Sequence, residues 1–206
     1  MKFTSITAII LICLSLAACA SRTTDYTNPV PTNISASWRL ANVQVIVPES
    51  LTTSEQNSYA PEADIVWHGD VYGAGSRQQQ VAAILKNGIT DAASRLSGAT
   101  PVIIQATLLQ FHALTPKARV RVGGIHNVDF TLRIINANTG AVLVEQARIE
   151  ADEFAYAGAA AVGAEALGQT QKVRIRNRIN LVLLNWLGIA KESERVTLGG
   201  VSGIGR

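Results

Sequence analysis

Two histidines have the residue type and spacing to form part of a metal site. His112 and His126 lie in two strand-like segments, 101–114 and 124–136, and a hairpin centred on Arg119 would set the two imidazoles opposite each other. Imidazole nitrogens are common zinc ligands, although a catalytic zinc takes three protein ligands. Two interpretations stay open: a metal-dependent hydrolase that uses both rings, or a polar end to the hairpin in which each ring bonds to a neighbour.

Three basic side chains lie at or near the tip of the same hairpin: Lys117, Arg119 and Arg121. A protruding basic tip can contact anionic lipid headgroups or an acidic partner, at up to about 1 kcal/mol per charge near a membrane surface. A solvated loop explains the same residues, since small basic clusters are common on protein surfaces. The cluster is therefore a candidate contact surface for a partner or for headgroups.

Both cysteines of the chain, Cys13 and Cys19, lie near the N-terminus. Met1-Lys2 gives a short positive start, and residues 6–16 are nearly all apolar. This stretch of about a dozen residues is shorter than the roughly 20 that a membrane-spanning helix needs. Its proportions are typical of a signal-peptide core that precedes a cleavage site of small residues.

The residues that follow, Leu16-Ala17-Ala18-Cys19, resemble the lipobox of bacterial lipoproteins. The resemblance implies cleavage between Ala18 and Cys19 and a diacylglyceryl group on the Cys19 sulfur. Two or more acyl chains hold a protein stably at a membrane. Ala20 stands where an Asp would favour the inner membrane, so by resemblance to the sorting rule of enteric bacteria we expect the periplasmic face of the outer membrane. The alternatives are an ordinary secretion signal and an uncleaved anchor.

Composition narrows the class of protein further. The chain has 206 residues, of which 48% are hydrophobic and 16% are charged, and its formal net charge is +3. The hydrophobic fraction excludes wholesale disorder, and so mild a charge gives no reason to expect a nucleic-acid partner. Because Cys13 would leave with the signal peptide and Cys19 would carry the lipid, cysteine catalysis is excluded and no cofactor is expected.

Four regions follow from these patterns. We expect a signal peptide over 1–18, a lipidated cysteine with a flexible tether over 19–37, a single globular domain over 38–190 and a disordered tail over 191–206. A flexible tether of this length averages roughly 20–25 Å from end to end. It would lift the domain off the headgroups.

Hydrophobic periodicity predicts the elements of the domain. Ser76 is placed to cap a helix over 76–96, and Gly98 to end it in the left-handed conformation. The Ala- and Gly-rich stretch 154–168 is either a loose loop or a thin helix. The remaining predicted elements are strands at 38–47, 101–114, 120–122, 127–135 and 141–149, a possible short strand at 63–67 and a helix at 169–189.

The apolar pattern also predicts how the strands pair. Placing opposed apolar residues on one buried face fixes the register of each hairpin. The result is an α+β fold with an antiparallel, or mixed, sheet of about four to five strands and two main helices packed on one face. The predicted pairs are Ile104 with Ile134, Ala106 with Leu132 and Leu108 with Phe130, with Val142 and Val144 beside Ile134 and Leu132 in the next hairpin.

Several motifs carry a family resemblance over most of the domain. Five segments together resemble an uncharacterised family of Gram-negative lipoproteins with a domain of unknown function. They are Val47-Pro48-Glu49-Ser50-Leu51, 64–70, 111–115, 123–126 and 168–172. More loosely, the order of elements is similar to CsgG-like and TolB N-terminal domains and to the auxiliary lipoproteins of ABC-type transporters. The resemblance implies a periplasmic lipoprotein and names no activity.

These patterns together favour a non-catalytic accessory lipoprotein of an envelope assembly or transport system. We expect it to contact the membrane through its N-terminal lipid and to bind an envelope protein. Two alternatives stay open: a small metal-dependent hydrolase that uses His112 and His126, and a binder of apolar ligands such as lipid in a cleft beside 154–168.

Overall fold

The computed structural model describes residues 21–69 and 75–202, so the predicted signal peptide and Cys19 lie outside the described residues. The described part contains nine strands, five α-helices and a 3-10 turn at Glu192–Glu194. The helices are α1 Thr32–Ser35, α2 Arg77–Ala93, α3 Pro116–Arg121, α4 Gly158–Ala166 and α5 Gln171–Trp186. The strands are β1 Ser21–Tyr26, β2 Trp38–Ile46, β3 Thr53–Ser54, β4 Ile65–Val66, β5 Thr100–His112, β6 Gly124–Asn136, β7 Val142–Ala151, β8 Glu153–Ala155 and β9 Gly199–Ser202.

The strands form one mostly antiparallel sheet in the order β3-β4-β5-β6-β7-β1-β9, with β2 paired to β5 and β8 to β6. Three neighbouring pairs are parallel: β2 with β5, β3 with β4 and β4 with β5. The mixed α+β class is as predicted. The predicted number of strands was too small, because β3, β4 and β8 are very short and β1 and β9 lie where a tether and a tail were expected.

The two long helices cover one face of this sheet. Helix α2 begins at a capping box, in which Ser76 Oγ accepts from the Gln79 backbone N–H (3.3 Å) and the Ser76 N–H donates to Gln79 Oε1 (2.8 Å). Gly88 of α2 lies against Ile179 of α5, where a β-carbon would come within 2.7 Å of the isoleucine side chain. The close approach of the helices leaves one continuous core between them and the sheet.

The predicted register holds through the centre of the first hairpin and then fails. Ile104 pairs with Ile134, and Leu108 with Phe130, all four fully buried; the predicted pair of Ala106 with Leu132 is also present. Between Leu108 and Gln110 a β-bulge adds one residue to β5 and shifts the pairing beyond it by one position.

The second hairpin contains two irregularities, and its predicted register was wrong. Ile134 pairs with Val144 and Leu132 with Ala147, whereas Val142 lies opposite Ile135. Each irregularity shifts the pairing beyond it, so a constant register counted from the turn at Asn138 places these side chains wrongly.

The segment predicted as a flexible tether belongs to the fold. Thr24 of β1 pairs with Ala151 of β7 and is almost fully buried. Val30 joins the core, and its N–H donates to the Trp186 carbonyl at 2.8 Å. A polar strand pairs through its backbone, so composition alone gave β1 the profile of a linker.

The tail predicted to be disordered is also held, as far as Ser202. Glu194 accepts two hydrogen bonds of 2.8 Å from the Arg95 guanidinium, which lowers the pKa of Glu194 to about 2. Beyond it, β9 pairs with β1, Gly199 opposite Thr24. Both contacts join residues far apart in sequence, and local patterns cannot show them.

Two local predictions around the first hairpin were wrong or undecided. The strand predicted at 120–122 falls in the last turn of α3, because Thr115 Oγ1 caps that helix and Pro116 takes its first position. The Ala- and Gly-rich stretch resolves into both a short strand, β8, and a thin helix, α4.

Gly98 does not end α2, which stops at Ala93, and its φ lies outside the left-handed region. Glycine is needed there for another reason. A β-carbon at Gly98 would lie 2.5 Å from the Ala36 carbonyl oxygen and would also overlap the Ser37 backbone. The chain entering β2 thus packs directly on the Gly98 backbone.

We expect Gly98→Ala to lower the free energy of unfolding by about 2–3 kcal/mol, because backbone atoms must move to admit the methyl group. Gly163→Ala is the matched control. It lies in α4 with nothing within 4 Å of a β-carbon, so we expect a gain of about 0.5–1 kcal/mol. Urea denaturation of both variants measures the difference, and equal effects would contradict this account of Gly98.

Candidate functional site

The bulge in β5 separates the two histidines that the sequence placed face to face. His112 pairs with Asn127 rather than with His126. The His112 ring lies on the side of the sheet away from the helices, and its Nε2 is 2.5 Å from the Ala63 carbonyl oxygen. His126 lies on the helix-covered face and is buried. The predicted facing pair was therefore wrong. Within residues 21–69 and 75–202, no three His, Cys, Asp or Glu residues are grouped to hold a metal ion.

His126 instead lines a small cavity beside α4. Both of its ring nitrogens, and Gln171 Oε1, are buried without a hydrogen-bond partner among the described residues. Burial, aided by the positive charge of Arg174, lowers the pKa of His126 to about 3, so the ring is neutral. The other lining residues are Arg119, Tyr156, Ala161, Ala164, Glu165 and Gln169.

The size and lining of this cavity suit a water molecule better than a lipid. Its volume is about 10 Å³, on a scale where one water needs roughly 10–15 Å³. Arg119, Glu165 and Arg174 all reach it, so its wall is charged. The cavity beside the Ala- and Gly-rich stretch therefore does not support the apolar-ligand alternative.

The three basic residues predicted at a hairpin tip lie on α3, where they have different roles. Arg119 forms an ion pair with Glu165 of α4 and so joins the two short helices. The Lys117 ammonium lies 4.7 Å from the centre of the Tyr59 ring, in cation–π geometry. Arg121 is exposed. Two of the three thus face solvent, and one holds α3 to α4.

Helices α3 and α4, with the residue that directly follows each of them, expose apolar side chains to an unusual degree. Val120 and Val122 are 60% and 64% exposed, and Val162 and Leu167 are 61% and 81% exposed. Isolated exposed hydrophobic residues are ordinary, but a group beside basic residues is typical of a contact surface.

The chain enters the fold at this same end of the sheet. Arg22, the second residue of β1, forms an ion pair with Glu153 (3.7 Å) and lies 4.7 Å over the Phe154 ring. Strand β8, which contains Glu153 and Phe154, leads directly into α4. Residue 21 therefore lies at the end of the sheet that carries α3 and α4.

A buried polar cluster secures this first strand. Asp152 accepts hydrogen bonds from the Thr23 N–H (3.1 Å), Asn127 Nδ2 (2.9 Å) and the Val128 N–H (3.3 Å). Arg178 of α5 donates to the Asp152 carbonyl at 2.9 Å and to Thr24 Oγ1. Burial raises the pKa of Asp152 and lowers that of Arg178, so each charge depends on these bonds.

The sequence analysis did not identify the two charged residues of this cluster, Asp152 and Arg178. Arg178 is one of four basic residues at alternate positions in the first half of α5, and two of the others also have partners within the fold. Arg174 bonds Glu153 at 2.9 Å, and Arg176 bonds Asp91 at 2.6 Å. The only local signal was the crowding of like charges on successive turns of a helix.

We expect Asp152→Ala to lower the free energy of unfolding by about 2–4 kcal/mol, because one buried and two partly buried donors lose their acceptor. Asp25→Ala, on the same strand, is the matched control. Its carboxylate is exposed and accepts only from the adjacent Tyr26 N–H, so a change within about 0.5 kcal/mol is expected. Urea denaturation of the mature chain with Cys19→Ser supplies both values. A similar loss in the two variants would argue against the cluster.

The buried neutral His126 predicts a loss of stability in acid. Below pH 6.5 the unfolded chain binds a proton at His126 that the folded chain, with its pKa of about 3, does not bind. The contribution of His126 to the free energy of unfolding is therefore fully present above pH 6.5 and falls as the pH drops from there toward 3. Between pH 7 and pH 5 we expect a loss of about 2 kcal/mol that His126→Phe removes. Denaturation curves at the two pH values measure it, and identical pH dependence in both proteins would refute it.

No helix within the described residues is both long and apolar enough to cross a membrane. Among curated proteins, none matches this chain significantly.

Three solved structures are similar to parts of this chain. The PelC dodecamer from Paraburkholderia phytofirmans is 11% identical, with 80% of this chain and 98% of that chain covered and a TM-score of 0.39. A DUF330 protein from Xanthomonas campestris is 9% identical, with 81% and 88% covered and a TM-score of 0.41. A candidate lipoprotein from Caulobacter crescentus is 16% identical, with 76% and 94% covered and a TM-score of 0.33. TM-scores this low support no conclusion about fold or function.

The comparison with protein families gives a match over most of the chain. Residues 38–202, which span the domain from β2 to β9, match a family of unknown function, DUF6778. The predicted resemblance to a family with a domain of unknown function is confirmed in that respect, and the looser likeness to CsgG- and TolB-type domains stays a prediction. The chain belongs to the DUF6778 family.

Proposed function

We propose that this protein is an accessory lipoprotein, anchored by a lipid on Cys19 to the periplasmic face of the outer membrane, that binds a partner in an envelope assembly or transport system. One observation carries the proposal: Leu16-Ala17-Ala18-Cys19 follows an apolar stretch with the proportions of a signal-peptide core and ends two residues before the first strand. The lipid would supply location, and the domain would supply recognition.

Recognition rather than catalysis is the better account of the side chains that could do chemistry. His112 contacts the Ala63 carbonyl, and His126 lies neutral in a cavity of about one water. Arg119 and Arg174 form ion pairs within the fold. The two arginines are used within the fold, and the hydrolase alternative loses its facing pair of histidines.

The chemistry of the anchor also limits the class of partner. A domain attached to lipid on the periplasmic face of a membrane can reach only other envelope components. The partner we propose is therefore an envelope protein.

We expect Cys19→Ser to abolish lipid attachment, because a hydroxyl in place of the sulfur cannot form the thioether. Palmitate labelling of cells should lose its signal, and the precursor should accumulate unprocessed. Cys13→Ser is the matched control, since it removes the other sulfur from within the signal segment and should leave labelling and processing unchanged. A Cys19→Ser chain that is still processed and membrane-bound would overturn the proposal.

The same pair of variants tests the accessory role. Crosslinking in intact cells, followed by purification of the chain, should recover envelope assembly or transport proteins with the wild type and with Cys13→Ser. Recovery should fall sharply with Cys19→Ser, because the unanchored chain no longer meets its partner. Equal recovery from all three would separate partner binding from the anchor and count against the proposed role.

A further inference from the structure

We infer that the end of the domain formed by α3 and α4 lies on the bilayer surface, with its basic side chains at anionic headgroups and its exposed apolar side chains in the interfacial layer. The inference deepens the proposed function and rests on lipid attachment at Cys19. Its occupant is the phospholipid leaflet that would hold that lipid.

The first argument is the length of chain between the lipid and the fold. Strand β1 begins at Ser21, two residues after Cys19, and two extended residues span about 7 Å. Arg22 contacts Glu153 and Phe154 of β8, which pairs with the start of β6 next to α3. A link this short holds this end of the domain close to the headgroups, in place of the 20–25 Å tether first expected.

The second argument is the apolar surface found there. Among the described residues, the six most exposed large hydrophobic side chains all belong to α3, α4 or the segments that contact them, and those elsewhere are at most 46% exposed. Aromatic rings with polar tips and branched aliphatic side chains suit the boundary between headgroups and acyl chains. The six are Tyr59, Val120, Val122, Tyr156, Val162 and Leu167.

The third argument is charge. Helices α3 and α4 contain three basic residues and one acidic residue, Glu165, which Arg119 pairs. Lys117 and Arg121 remain exposed at this end, beside the exposed valines. A bilayer with anionic headgroups complements this combination of positive charge and apolar side chains.

The short link also favours the bilayer over a protein occupant. A protein seated on the α3–α4 end would have to fit between that end and the leaflet carrying the Cys19 lipid, and about 7 Å of extended chain leaves no room for a folded domain. A second copy of this chain bound at the same end meets the same obstacle.

The first experiment measures how strongly the α3–α4 end binds membranes when Cys19 carries no lipid. The mature chain with Cys19→Ser is floated with vesicles of phosphatidylcholine containing roughly a third phosphatidylglycerol. We expect binding that weakens as salt rises and that falls about tenfold or more in Lys117→Glu/Arg121→Glu. The matched control is Arg39→Glu/Arg133→Glu, an equal charge change near the opposite end of the sheet. Equal loss in both double variants would reduce the effect to net charge and overturn the inference.

The second experiment measures orientation with the lipid in place. Because the Cys19 sulfur would be occupied by lipid, one introduced cysteine can be labelled with an environment-sensitive fluorophore. In lipidated protein on the same vesicles, we expect quenching by spin-labelled lipid at Val122→Cys and none at Leu143→Cys, an exposed apolar position on β7 toward the other end.

The outcomes separate this inference from the proposed function. Protein that carries palmitate yet shows no quenching at Val122→Cys would overturn the docking and leave the anchor standing. Protein without palmitate would overturn the anchor, while flotation of the Cys19→Ser chain still tests the surface. If the fluorescence of labelled Val122→Cys changes with protein concentration in the absence of vesicles, this end contacts another copy of the chain. That result would also overturn the inference.

Discussion

Asp152 and the hydrogen bonds around it hold the first described strand in the sheet. The Asp152 carboxylate accepts hydrogen bonds from the Thr23 backbone on β1 and from β6. Arg178 of α5 donates to the Asp152 carbonyl and to Thr24. Buried charges are costly unless they are paired and hydrogen-bonded. This cluster meets that condition by holding β1 against the end of β7, and β9 then pairs with the outer edge of β1.

Because β1 is part of the sheet, a lipid on Cys19 would restrict the orientation of the domain as well as its location. With a flexible segment after the lipid, the domain would sample a shell of positions below the membrane. With β1 in the sheet, a lipid on Cys19 would be attached two residues before a strand whose Arg22 contacts β8, and the α3–α4 end of the domain would face the bilayer. The exposed valines of α3 and the exposed Leu167 lie at that end, and a membrane surface would cover them.

A single bulge decides the role of the histidines. One extra residue between Leu108 and Gln110 moves His112 opposite Asn127 and leaves His126 on the core face. There the ring is desolvated and neutral. The same bulge leaves the buried pairs on its other side untouched, which is why apolar alternation predicted Ile104 opposite Ile134 correctly and placed the imidazoles wrongly.

The sequence by itself determined the features that are local or periodic: the signal-like segment with its Cys19, the capped helix after Ser76, the α+β class and the central register of the first hairpin. Capping and alternation act over a few residues, so a single segment contains the whole signal. Only the tertiary structure decided the place of β1 and β9, the separation of His112 from His126 and the internal partners of Arg174, Arg176 and Arg178. Each of these depends on backbone pairing or ion pairs between residues distant in sequence, and the composition of one segment does not identify its partner in another.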